Sequence, residues 1–60
     1  MNHLVVFWAG NKKETVNMLM WLAITIDDWN SYSENQQEHE IELAHDAWLW
    51  NGRVGWYEKA

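Results

Sequence analysis

Sixty residues carry nine acidic and four basic side chains, six tryptophans and no cysteine, for a net charge of −5 and an isoelectric point near 4.8. The lack of thiols excludes disulfides and thiolate metal clusters as supplements to the core, and the negative field opposes direct binding to nucleic acid or to a membrane of anionic lipid. A chain this short buries only about 60% of the surface its unfolded form exposes, so one domain is expected, residues 1–60, with help from a second copy or a partner.

The opening stretch MNHLVVFWAG has no basic leader, and its apolar run is too short for a signal peptide. The apolar run from Met18 to Ile26 falls well short of the ~20 residues that span a bilayer. A cytoplasmic protein is therefore expected. His3 to Trp8 is rich in β-branched and aromatic residues and ends at Ala9-Gly10, which predicts a short strand with two apolar faces. Asn11 with Glu14 three residues on has the form of a helix cap, and the helix it predicts runs to about Trp29. Val16, Met18, Leu19, Leu22, Ala23, Ile26 and Trp29 fill an arc of roughly 160° on its wheel, the ordinary core stripe. Met20, Trp21 and Ile24 instead share the outward face with Lys13, Glu14, Asn17 and Asp28, a hydrophobic knuckle of the kind that marks a contact.

Asn30 to Ser33 is a polar connection short enough to make an αα-hairpin. Ser33 to Gly52 reads as a second helix: Ser33 and Gln36 form a capping-box pair, and Asn51-Gly52 supplies a left-handed stop. At about 100° per residue, Glu34, Glu38, Glu42 and Asp46 form one acidic stripe, with Ile41, Leu43, Ala44, Ala47, Trp48 and Trp50 opposite. Arg53 to Tyr57 reads as a short closing strand. The predicted fold is a small α+β domain, two antiparallel helices over short N- and C-terminal strands paired antiparallel (β-α-α-β). Two strands alone are marginal in water, so a homodimer that enlarges the sheet is expected. The alternative is β-α-β-β, in which Asn51-Gly52 turns a C-terminal hairpin and Glu40 to Trp50 is a strand. That arrangement puts Trp48 and Trp50 on one face with Glu40, Glu42 and Asp46, which favours the helix.

Chemistry finds little support. Glu38, His39, Glu42, His45 and Asp46 are metal-ligand types, and Glu42 and His45 have the Glu-x-x-His spacing of di-iron bundles. Such bundles need two of these motifs, and a solvated face with ordinary histidines accounts for the same residues, so no metal, cofactor or catalytic residue is assigned. Serines 31 and 33 and threonines 15 and 25 lack a nucleophile setting, and an enzyme is not expected. Base stacking on tryptophan belongs in basic grooves, the wrong sign for this chain. Trp8, Trp29, Trp48 and Trp56 are expected in the core, with Trp21 exposed.

The stripe itself is the strongest signal. Between Lys13 and Arg53 there is no Lys or Arg, while Asp27, Asp28, Glu34, Glu38, Glu40, Glu42 and Asp46 lie there. Like charges four apart destabilise a helix by a few tenths of a kcal/mol per pair. Carboxylates rising about 6 Å per step approximate the phosphates of one nucleic-acid strand. In size, acidity and aromatic surplus the chain resembles the small inhibitors that phages encode against host nucleic-acid machinery, such as anti-CRISPR, antirestriction and glycosylase-inhibitor proteins. That resemblance implies a DNA mimic that occupies the basic groove of a nucleic-acid-binding host protein. The candidate contact residues are Glu34, Glu38, Glu42, Asp46 and Asp28, with Trp21, Met20 and Ile24 as apolar anchor. The alternative is a homo-oligomeric structural or adaptor module whose seam is the Met20/Trp21/Ile24 patch.

Overall fold

Gly10 decides the course of the N-terminal half. Its φ of +61° suits the first central position of a two-residue hairpin, where a type II′ turn wants glycine. The computed structural model, which describes residues 3–50 and 52–60, accordingly turns β1 (Leu4–Ala9) through Gly10-Asn11 into β2 (Lys12–Asn17). This corrects the helix predicted from Asn11 to Trp29. Asn11 is a turn residue, and the polar KKETVN segment forms an edge strand whose one buried member is Val16.

Helix begins only at α1 (Met18–Leu22), where the Asn17 side chain accepts from the Leu19 N–H. It ends after five residues. Ala23 enters the left-handed region at φ 57° and its N–H donates to the Met20 carbonyl, while that of Ile24 donates to Leu19. These are the paired bonds of a Schellman stop. Thr25 and Asp28 then form a reciprocal capping box that starts α2 (Ile26–Ser31). Ser33 caps α3 (Glu34–Leu49) by accepting from the Gln36 N–H at 3.1 Å, as its sequence predicts. The Gln36 side chain reaches Glu40 instead of closing the box.

β3 (Gly55–Lys59) pairs antiparallel with β1, from Val5 opposite Lys59 to Ala9 opposite Gly55, so the sheet runs β2-β1-β3. The expected pairing of terminal strands is present. The C-terminal hairpin is not, because Glu40 to Leu49 is helical and β3 takes β1 as its partner. Gly52 has the positive φ expected of it, +71°, and Asn51 lies outside the described residues.

One face of the sheet carries the core. Val5 and Phe7 from β1 and Val16 from β2 meet Met18, Trp29, Ile41 and Ala44, all buried. The buried face of α3 is therefore Ile41, Ala44, His45 and half-buried Trp48, spaced as one helical stripe. Leu43, Ala47 and Trp50, expected there, are exposed. His45 takes their place, packed among Phe7, Trp48 and Tyr57. Trp29 is fully buried as expected, but Trp56 is 52% exposed because it sits on the opposite face of the sheet, beside half-buried Trp8. Ala23 and Ile26 are likewise exposed, since the chain leaves the predicted helix before reaching them.

Candidate functional site

The acidic stripe forms on α3 and runs along the flank that faces β3. Glu38 Oε2 lies 3.6 Å from Lys59 Nζ, an exposed pair that contributes at most about 1 kcal/mol. Burial, then the nearby Glu42 and Glu38 carboxylates, raise the Tyr57 phenol above its ordinary value of 10.0. Glu34 and Asp46 are exposed and meet no cation among the described residues. Over the twelve steps from Glu34 to Asp46 the row extends about 18 Å.

The lysines explain why so little of this charge is neutralised. Lys12 stands over the Trp48 ring at 5.9 Å and Lys13 over the Trp8 ring at 5.2 Å, both committed to aromatic faces on or beside β2. Lys59 alone among the described lysines turns to the stripe. Two of the four cations thus stand on aromatic faces, and the helix keeps most of its negative field.

The apolar anchor is placed elsewhere. Met20 is 80% and Trp21 44% exposed, and with Glu14, Thr15, Val16 and Asn17 they line an open groove of about 370 Å³ along β2. Because β2 and β3 are opposite edges of the sheet, this groove and the stripe lie on opposite flanks. Ile24 is partly buried against the core instead of standing free. Asp28 is exposed but engaged: its carboxylate accepts from the Thr25 N–H and stabilises the start of α2. The structure therefore brings together Glu34, Glu38, Glu42 and Asp46, and separates them from Met20 and Trp21.

Two features escaped the sequence reading. The stacked Trp8 and Trp56 rings come from strands forty-eight positions apart, a pairing set only by sheet register. The His45 ring is 6% exposed, with Nε2 unpartnered; its i+4 relation to Ile41 was the available signal. Among the described residues no three His, Asp or Glu side chains converge on a metal-sized site. No described helix is long and apolar enough to cross a membrane. Comparison of the chain with protein-family models, curated proteins and solved structures finds no match.

Proposed function

We propose that this protein is a small cytoplasmic binding module that inhibits a nucleic-acid-binding partner by laying the acidic flank of α3 into the partner's basic groove. The observation that carries this reading is the row Glu34, Glu38, Glu42 and Asp46, of which only Glu38 is drawn to a lysine. A solvated face that served solubility alone gains from interspersed charges of both signs. This one accepts i,i+4 self-repulsion along its length, which a cationic groove relieves on binding. Such complementarity supplies rapid, salt-sensitive association. The mode is that of a DNA-mimic inhibitor, with the protein's carboxylates standing where phosphates stand in the competing ligand.

Position decides how the apolar groove takes part. Met20 and Trp21 face a different flank, so a partner engaged by the stripe reaches them only by wrapping around the β2 edge. The stripe is sufficient as the primary contact.

The test is capture from a host lysate at low and high salt, repeated with duplex DNA as competitor, using the wild type and the Glu34→Lys/Glu42→Lys/Asp46→Lys variant. The reading expects basic nucleic-acid-binding proteins to be retained by the wild type at low salt, released by salt and by DNA, and missed by the variant. Retention indifferent to both salt and charge reversal overturns it.

A further inference from the structure

The face of the sheet turned away from α3 is an ordered platform. Register sets Lys13, Trp8 and Trp56 side by side in one row, and Thr15, Val6 and Glu58 in the next, with Leu4 beyond. The two indoles stack with centroids 5.4 Å apart and planes within 8°. Lys13 stands over the Trp8 ring at 5.2 Å, and the Trp8 indole N–H donates to Glu58 at 3.0 Å. A cation from β2 and an anion from β3 thus hold the aromatic pair in place. An antiparallel sheet that leaves one face to water ordinarily makes that face polar, yet here the whole central strand is apolar: Leu4, Val6 and Trp8. Leu4 is 38% and Trp56 52% exposed on this face.

We infer that this face is covered by the same face of a second copy, related by a two-fold axis running along β1. Stacked sheets lie about 10 Å apart, within the combined reach of facing side chains. An axis along β1 lays β2 of each copy over β3 of the other. Lys13 then stands above Trp56 and, one row on, Glu58 of the second copy, and the Thr15 hydroxyl faces that same carboxylate. The interface is isologous, so each contact is made twice, one at either margin. Leu4, Val6 and Trp8 meet their own counterparts on the axis. A two-fold axis across the strands would instead set Glu58 against Glu58, which like-charge repulsion disfavours. Register and charge therefore select one arrangement.

This inference stands apart from the cationic-partner reading, because it uses the opposite face of the sheet and leaves both α3 stripes outward. Three strands of five or six residues offer an interface at the small end of the specific range. The dimer is accordingly reversible.

Sedimentation equilibrium on the full chain, from low-micromolar to near-millimolar concentration, tests it through crossed charges. Lys13→Glu alone and Glu58→Lys alone each place like charges at both margins, and each is expected to weaken self-association by at least about tenfold. An equimolar mixture of the two variants is expected to recover the wild-type association, because each margin of the mixed dimer again joins a carboxylate to an ammonium. Leu4→Lys, at an exposed position on the axis, keeps the test open if either charge variant fails to fold, and is expected to abolish the dimer while circular dichroism stays native. A wild type that remains monomeric throughout, a mixture no better than its components, or a dimer indifferent to Leu4→Lys overturns the inference. The last result would move the seam to the Met20/Trp21 groove.

Discussion

Trp48, in the last turn of α3, donates its indole N–H to Glu14 on β2 at 3.0 Å, a bond that joins positions thirty-four apart. With Lys12 above the same ring, it fastens the end of the long helix to an edge strand that contributes only Val16 to the core. A polar strand is thereby made part of the fold.

Removing that acceptor tests the linkage. Glu14→Ala is expected to cost about 0.5–1.5 kcal/mol in urea unfolding, while Glu14→Gln, which keeps an acceptor oxygen, loses less. The site is exposed enough for water to replace part of the bond, so a loss beyond this range would mean that Glu14 does something more than accept from Trp48.

Ala23 pays a conformational cost at φ 57°, where glycine is the usual residue. Its side chain is exposed, so nothing is lost by deleting the methyl. Ala23→Gly is expected to raise the unfolding free energy by about 0.5–1 kcal/mol, against the normal effect of glycine next to a helix. Urea unfolding showing destabilisation instead would contradict the left-handed stop.

That same residue shows why the N-terminal half was hard to read. A Schellman stop at an alanine, with no glycine or proline beside it, gives the sequence no mark of an ending. Asn11 and Glu14 imitate a cap at a place where Gly10 has already turned the chain. Lys12, Glu14 and Thr15 carry no apolar alternation that would announce a strand. By contrast Ser33, the periodicity of Ile41, Ala44 and Trp48, and the apolar run of β1 were legible, because local capping and burial agree there with the tertiary fold. The stripe was legible for the same reason: its spacing is a property of one helix. Its distance from Trp21 was not, since that depends on which edge of the sheet each element takes.

Gly55 lies where no side chain fits. A Cβ built there overlaps the Trp8 carbonyl, so the backbone of β3 approaches β1 closely. Gly55→Ala is expected to destabilise by about 3 kcal/mol or more and to disorder β3. Gly52→Ala, strained at φ +71° but in open space, is expected to cost only about 1 kcal/mol. Thermal unfolding of both variants checks the contrast, and equal losses would contradict it.

Tyr57 gives the fold an alkaline limit. Its phenol is raised above 10.0 by burial first and by Glu42 and Glu38 next, so the folded state favours the protonated form. That contribution is intact below pH 10.0 and is lost as pH rises through the raised value. Ultraviolet titration of phenolate, assigned with Tyr57→Phe, is expected to place Tyr57 above 10.0 and to move it downward in Glu42→Gln. Stability of the wild type should fall more steeply above pH 10.0 than that of Tyr57→Phe. A titration unmoved by Glu42→Gln would deny the carboxylate its part.

The carboxylate row of α3 is tested most directly by the affinity of a captured basic partner as ionic strength is raised, with the wild type compared against Glu34→Lys/Glu42→Lys/Asp46→Lys. The predicted result is wild-type binding that weakens steeply with salt, and a variant that melts like the wild type but binds at least about a hundredfold less tightly at low salt. A folded variant that binds as tightly as the wild type, with the same dependence on salt, would contradict the account.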